Sequence, residues 1–316
     1  VRTAFLQTLE EMASQDERIY FVTGDLGFSV IEPFREKFPR RFLNAGVAEQ
    51  NMTGVAAGMA LSGKIVFTYS IANFPTLRCL EQIRNDGAYH EANLKVVSVG
   101  GGFAYGALGS SHHATEDLAV LRAIPGMTVL SPADPLEAEH ATRAAATTDG
   151  PFYLRLGKAG EQRVHPGPID FRIGKAIRVR EGSDLTVIAT GSILKACVEA
   201  CAALEVDGIS ARLLSMHTIK PIDAAAIAEA AEQTGAIVTV EEHSVIGGLG
   251  SAVAEVLAQH PGRRPPLKIL GLPDRFCRDV GGQSYLLKRN RLTAEGIARA
   301  AAAVHRDPID ATGVKP

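Results

Sequence analysis

The sequence predicts an α/β protein built from two doubly wound domains, each a mostly parallel sheet covered on both faces. Three observations carry that expectation. Short apolar strands alternate with helical patterns through the first half of the chain, which is the signature of strands joined by crossover helices. The pattern weakens between Gly157 and Gly182, where Gly, Pro and charge increase, and then resumes for a second series. The 316 residues, 46% of them hydrophobic, suffice for two cores of ordinary size. The expected division is a first domain over 1–165, a linker over 166–183 and a second domain over 184–316.

The first series opens with Val1–Ala13, where Phe5, Leu6, Leu9 and Met12 share one helical side. Ile19–Thr23 reads as a strand ending in Gly24-Asp25-Leu26-Gly27. A short strand from Phe42 and a turn at Gly46 lead into a helix from Ala48 to Leu61 that is small or apolar on nearly every side. Such a helix is expected to be buried all round, with Gly54 and Gly58 leaving a stripe where another backbone can approach. Strand Lys64–Tyr69 follows, then a helix expected over Asn73–Tyr89 with Phe74, Leu77, Leu80 and Ile83 facing inward. Strand Leu94–Val99 runs into Gly100-Gly101-Gly102, helices at Glu116–Ala123 and Pro135–Thr147 flank strand Met127–Leu130, and Phe152–Leu156 closes the series. In the second series, strands Leu185–Ala189, Ser210–Leu214, Ala236–Glu241 and Leu267–Leu270 alternate with helices Leu194–Leu204, Asp223–Gln233, Gly250–Gln259 and Thr293–Ala303. The tail after His305 reads as frayed.

Several function classes are excluded early. A formal net charge of −2 implies no basic face for nucleic acid or an anionic membrane. The longest apolar runs are too short to span a bilayer, and no N-terminal stretch has the form of a secretion signal. Val1 is not a Met, so a few residues are expected ahead of it. Cys79, Cys197, Cys201 and Cys277 form no metal-binding pattern, and free thiols in a reducing cytosol are the expectation.

Ligands of parallel sheets sit beyond the carboxyl ends of the strands. The first domain has five polar or Gly-rich segments there: Thr23–Ser29, Asn44–Gln50, Tyr69–Phe74, Gly100–His113 and Leu156–Lys158. The second offers mainly Glu241–Gly250, so the chemistry belongs to the first. Within the apolar helix, Glu49 is almost the only ionisable group. A carboxylate between burial, which raises its pKa, and a helix N-terminus, which lowers it, is a functional candidate. From the residues alone, a first-turn Glu satisfying backbone N–H groups is an equal alternative.

The order of the motifs adds to this. Gly24-Asp25-Leu26, Asn44-Ala-Gly-Val-Ala-Glu49-Gln-Asn-Met, Tyr69-Ser-Ile-Ala-Asn-Phe74, Gly109-Ser-Ser-His112-His113 and Leu154-Arg-Leu-Gly-Lys158 together resemble the pyrimidine-binding domain of the transketolase family. Val240-Glu-Glu-His-Ser-Val-Ile-Gly-Gly-Leu-Gly250 and Gly271-Leu-Pro-Asp-Arg-Phe276 resemble the family's C-terminal domain. The resemblance implies thiamine diphosphate as cofactor. It implies that Glu49 bonds N1′ of the aminopyrimidine and favours the imino tautomer that takes the C2 proton. It further implies that Phe74 stacks on the pyrimidine, that Ile71 replaces a second aromatic found in relatives, and that Asp25 matches an acid near the cofactor. His112 matches a histidine that bonds donor hydroxyls, with His113 a weaker match beside it. Lys158, Ser29 and Arg2 match positions facing a substrate phosphate, Lys158 as a point charge where relatives carry a bidentate arginine.

Two departures matter. A histidine and an aspartate of larger transketolases are replaced by Gly100 and Leu108, which leaves the identity of the sugar open. The family's magnesium–diphosphate motif, Gly-Asp-Gly followed further on by Asn, is absent. The chain therefore resembles the second half of a transketolase made as a separate subunit. The resemblance implies a cytoplasmic enzyme active only with an N-terminal subunit that carries the diphosphate-binding domain and Mg2+, in an α2β2 assembly. Its reaction would move a two-carbon ketol unit from a ketose, phosphorylated if the phosphate-side matches hold, to an aldose. The alternatives are the beta subunit of a 2-oxo acid dehydrogenase decarboxylase, a 1-deoxy-xylulose-5-phosphate synthase-like enzyme, and a non-catalytic scaffold or regulatory subunit that keeps the fold.

Overall fold

Side-chain alternation along the strands determines how the layers stack. The computed structural model describes residues 1–306; residues 307–316, in the tail where the sequence suggests fraying, lie outside the described residues. The first half contributes α1 (Arg2–Gln15), β1 (Ile19–Thr23), α2 (Glu32–Lys37), β2 (Phe42–Asn44), α3 (Glu49–Leu61) and β3 (Ile65–Ile71). It continues with α4 (Leu80–Gln82), β4 (Leu94–Val99), α5 (Asp117–Ala123), β5 (Thr128–Leu130), α6 (Pro135–Thr147) and β6 (Phe152–Leu156). β1 to β6 run parallel, so their carboxyl ends and all five candidate loops lie along one edge.

Phe21, Phe67, Tyr69, Val97 and Leu154 point to one face, where Phe5 and Leu9 of α1 and Ala138, Ala141 and Ala145 of α6 cover them. Val22, Val66, Val96 and Tyr153 point to the other face, against Met52, Ala56 and Ala60 of α3 and Leu118 and Leu121 of α5. Each large side chain buried this way contributes about 1.5–3 kcal/mol.

The second half supplies β7 (Ile177–Arg180), β8 (Leu185–Thr190), α7 (Leu194–Val206), β9 (Ala211–Ser215), β10 (Thr218–Lys220) and α8 (Ala224–Gln233). After these come β11 (Ile237–Ser244), α9 (Leu249–Gln259), β12 (Leu267–Leu272), α10 (Gln283–Arg289) and α11 (Ala294–Arg306). Its sheet has the order β12-β11-β8-β9-β7. α7 and α11 cover one side through Leu194, Cys197, Cys201, Ile297 and Ala301. The other side joins the α3–α5 core of the first domain through Ile188, Leu214, Leu249 and Val253, so the two domains share a hydrophobic core.

The structure departs from the sequence expectations in four places. β7 lies inside the expected linker and pairs antiparallel with β9. β10, a three-residue strand of the second half, crosses back and pairs antiparallel with β5, completing the order β10-β5-β6-β4-β3-β1-β2 of the first sheet. The helix expected over Asn73–Tyr89 begins only at Leu77, as a 3-10 turn that passes through α4 into a π-helical stretch at Ile83–Ala88. α3 is not buried on all sides within the chain. Gln50, Asn51, Val55, Gly58 and Leu61 are exposed, and no side chain approaches within 4 Å of where a Cβ on Gly54 or Gly58 would stand. The expected four free thiols are present as such, three of them buried. Among the described residues no helix is long and apolar enough to cross a membrane.

Candidate active site

Glu49 opens α3 at the carboxyl edge of the first sheet and is only 2% exposed. Its two oxygens have different partners: Oε1 accepts from the Ser70 hydroxyl at 3.1 Å, and Oε2 accepts from Arg78 Nη1 at 2.8 Å. Ser70 reaches it because β3 alternates, sending Tyr69 and Ile71 to the α1 side and Ser70 to the α3 side. Arg78 reaches it because the chain doubles back after β3. Ala72 takes a left-handed φ of 47°, and its carbonyl accepts from both the Thr76 and Ser98 hydroxyls, which delays the helix. Phe74 therefore sits on a turn instead of inside a helix. The Arg78 guanidinium lies 4.7 Å from its ring centroid, and His112 meets the ring edge-on at 5.1 Å. Glu49, Ser70, Arg78, Phe74 and His112 are thus joined by successive contacts.

The two histidines differ. His112 is half-buried, with Nδ1 engaged by the Ser111 hydroxyl at 3.0 Å, which leaves Nε2 for another partner. His113 is 3% exposed, packs edge-on against Phe103 at 4.9 Å, and its carbonyl accepts from Asn73 Nδ2. Its Nε2 is buried without a hydrogen-bond partner. Burial lowers its pKa, opposed by a bond to the Gly106 backbone and by the Glu116 charge.

A second group stands on the α1 side. Arg2 lies beside Tyr69 and Tyr105; burial raises both phenols, and the Arg2 charge works against that rise. Arg2 Nε and the Tyr69 hydroxyl are buried, and neither makes a hydrogen bond of normal geometry although the Arg2 side chain lies close enough to stabilise the phenolate. Lys158 Nζ lies 4.6 Å from the Tyr105 ring centroid. Tyr105 occupies its place because Gly100, at φ 93°, has no side chain: a Cβ there would stand 2.2 Å from the ring. Where the resemblance implies a histidine, this chain therefore brings in a tyrosine from five residues further along.

Residues 1–160 match the family model "Transketolase, pyrimidine binding domain", and residues 174–297 match "Transketolase, C-terminal domain". The chain belongs to the transketolase family. It is 42% identical over 303 residues to one subunit of the apulose-4-phosphate transketolase of Phocaeicola vulgatus, covering 95% of this chain and 96% of that protein. It is 40% identical to the 6-deoxy-6-sulfo-D-fructose transketolase subunit SqwH of a Clostridium species, covering 95% and 93%. Among solved structures, a split-gene transketolase described as an inactive beta4 tetramer superposes with a TM-score of 0.86. The two share 39% identity over 96% of this chain and 97% of that one. The Phocaeicola vulgatus and Clostridium relatives, which match the chain nearly end to end, are both named as transketolase subunits.

Of the candidate residues in this transketolase chain, the fold links Glu49, Phe74 and His112, and it gathers Arg2 and Lys158 around Tyr105. Three stand elsewhere. Ile71 packs into the α1-side core, across β3 from Ser70. Asp25, at φ 57°, exchanges two bonds with Asn44, accepting from Nδ2 at 2.8 Å and donating its N–H at 3.0 Å. Ser29 donates its N–H to Glu32 at 2.9 Å at the start of α2. Arg78, Ser70 and Tyr105 are the site residues that sequence reasoning missed. An Arg four residues after Phe74 is a detectable signal only once the helix is known to start late.

Proposed function

We propose that this chain is the subunit of a thiamine-diphosphate-dependent transketolase that holds the aminopyrimidine, and that it moves a two-carbon ketol unit from a ketose to an aldose acceptor. The observation that carries this reading is Glu49: a carboxylate 2% exposed whose partners are the Ser70 hydroxyl and Arg78, which itself lies over the Phe74 ring. The Arg78 side chain is 45% exposed, so it can turn to water when a ligand takes its place on the carboxylate.

The residues fit the cofactor. A carboxylate acceptor, the Phe74 ring and the absence of a side chain at Gly24 suit a flat, nitrogen-rich heterocycle; a Cβ on Gly24 would stand 3.3 Å from Glu49 Cγ. When bound, thiamine diphosphate supplies an acidic carbon and an electron sink for the cleaved carbon–carbon bond. Glu49 would hold a proton shared with pyrimidine N1′, and Phe74 would pack on the ring. Ser70 would keep its hold on one oxygen while the other exchanges Arg78 for the cofactor, and Asp25 stiffens the neighbouring turn through Asn44. His112 Nε2 would bond a donor hydroxyl. Arg2 and Lys158 favour a phosphorylated substrate, with Ser29 near the same edge. Tyr105 narrows the space beside them.

The pyrimidine-binding domain over 1–165, the linker 166–183 and the C-terminal domain over 184–316 belong to this reading, and so does the partner. No group of three or more His, Cys, Asp or Glu side chains among the described residues could hold a metal ion. The diphosphate and Mg2+ are assigned to an N-terminal subunit, two copies of each chain forming the enzyme in the cytoplasm. The open α3 face, with Val47 74% and Leu61 56% exposed beside the bare Gly54–Gly58 stripe, suits that contact. Glu49→Gln in the complex should leave melting unchanged and abolish ketol transfer. Near-wild-type turnover by that variant would remove the role assigned to Glu49.

A further inference from the structure

The loop that carries both histidines is held from the second domain, by a residue the proposed mechanism does not use. Two glutamates stand side by side near the end of β11, and strand alternation sends them opposite ways. Glu241 stays within its own domain, accepting the N–H groups of Leu249 and Gly250 at 2.7 and 2.8 Å. Glu242 crosses to the first domain. It is 2% exposed, and its Oε1 accepts the Phe103 N–H at 2.6 Å. Gln283 Nε2, at the start of α10, donates to both oxygens at 2.9 and 3.1 Å.

On the side facing the first domain, the carboxylate meets the base of the loop 102–114. Gly102 and Ala114 close its base with paired backbone bonds of 2.8 and 3.0 Å. Gly102 has a φ of 65°, and a Cβ there would lie 2.4 Å from Glu242 Cδ, so only glycine allows this approach. The Glu242 carbonyl and the Ala114 carbonyl share one donor, Arg155 Nη2, at 2.9 and 2.7 Å. Further along, the Gly281 N–H reaches the Gly106 carbonyl at 3.4 Å. Phe103, whose N–H Glu242 holds, carries the ring that packs against His113, and His113 is followed directly by Ala114.

We propose that Glu242 is a positioning residue of the active site: it fixes Phe103 and the base of the loop, and thereby sets where His112 and His113 stand for the donor sugar. The inference rests on the transketolase reading and gives the C-terminal domain a part in donor recognition. Glu242 presents only acceptors to the Phe103 N–H and to the Gln283 amide. Glu242→Ala leaves that N–H buried without a partner and frees the loop. Glu242→Gln keeps the volume and an acceptor for the Phe103 N–H but replaces the other acceptor by an amide donor, which Gln283 can meet only by turning its own amide over. The double variant Glu242→Gln/Gln283→Glu restores a donor–acceptor match with the two roles exchanged.

Two readouts test this. In the isolated chain, NMR titration of the His113 ring should change in Glu242→Ala and return toward wild type in the double variant. In the complex with the diphosphate-domain subunit, Glu242→Ala should raise the KM for xylulose 5-phosphate about 10- to 100-fold, the scale of a misplaced binding group. Thiamine diphosphate affinity should stay within about twofold, because Glu49 and Phe74 are untouched. The double variant should recover most of the KM. The proposal is overturned if Glu242→Ala leaves the His113 titration and the KM unchanged and only lowers the melting temperature. It is equally overturned if cofactor affinity is lost in step with the rise in KM. A wild-type complex that binds no thiamine diphosphate would instead remove the proposed function, and the His113 titration would still decide whether Glu242 holds the loop.

Discussion

The rim of the first sheet and the seam between the domains both bury a carboxylate against an arginine and a hydroxyl, and differ in whether the arginine can reach water. At the rim, Glu49 is held by a hydroxyl and by Arg78, whose side chain is 45% exposed. In the seam, Asp117 is fully buried and bonds Arg155, itself 5% exposed, at 2.8 Å, while the Tyr153 hydroxyl donates to the same oxygen at 2.5 Å. Glu137 accepts from Ser215 at 2.6 Å and the Ala133 N–H at 2.7 Å, and pairs with His165 at 2.7 Å. The seam has no partner that can leave without stranding a charge. The rim has one, which is what a site that must exchange its partner for a ligand requires.

The sharpest way to break this comparison is to delete the acid on each side. Asp117→Ala strands the buried Arg155 and should cost about 3–5 kcal/mol of unfolding free energy in urea. Glu49→Ala leaves Arg78 free to reach water and should stay within about 1 kcal/mol of wild type. Equal losses would mean that Glu49 is a structural acid after all.

Protons probe the seam next. Burial pushes His217 down to about 4, against the charges of Glu137 and Asp223. A depressed histidine favours the folded state above its unfolded pKa of about 6.5, and that contribution of about 3 kcal/mol fades as pH falls from 6.5 toward 4. His217→Phe, which keeps a ring against Phe171, should flatten the stability profile across that window. His165 has the opposite sign. Burial opposes its charge, yet the bond to Glu137 lifts its pKa, so its contribution is full below about 6.5 and is lost as pH rises through the folded value. A fully neutral seam would show neither slope.

Inside the second domain, Glu241→Ala uncaps α9 and should cost about 1–3 kcal/mol while the folded enzyme keeps its kcat/KM. Reduced kcat/KM at full folding would move Glu241 from the structural to the functional side. The smallest effect is expected on the α1 side of the rim. Lys158→Ala should raise the KM of a phosphorylated donor about tenfold, the worth of one charged hydrogen bond, and leave an unphosphorylated ketose unchanged. Equal changes for both donors would separate Lys158 from phosphate recognition.

The strands of both sheets other than β7 and β10, and the position of Glu49 at the head of α3, were legible, because period-two and period-3.6 patterns report local burial. β10 was not, since its three residues pair with a strand of the other half, a contact with no local trace. The late helix after Phe74 was hidden because its cause is long-range: the Ser98 hydroxyl on β4 holds the Ala72 carbonyl. Without that turn Arg78 cannot be seen to meet Glu49. The open side of α3 escaped for a related reason, as an apolar pattern signals burial without saying which chain provides the cover. Gly100 reads as a missing histidine in the sequence because nothing local signals that the Tyr105 ring fills the space beside it.

The central claim is a site completed by another chain, and reconstitution tests it most directly. This chain, and separately a partner that carries the Gly-Asp-Gly…Asn motif, would be assayed with xylulose 5-phosphate, thiamine diphosphate and magnesium, each alone and then mixed. Ketol transfer is expected in the mixture and in neither chain alone. A stable complex inactive on ketose phosphates but active on a 2-oxo acid would contradict the claim.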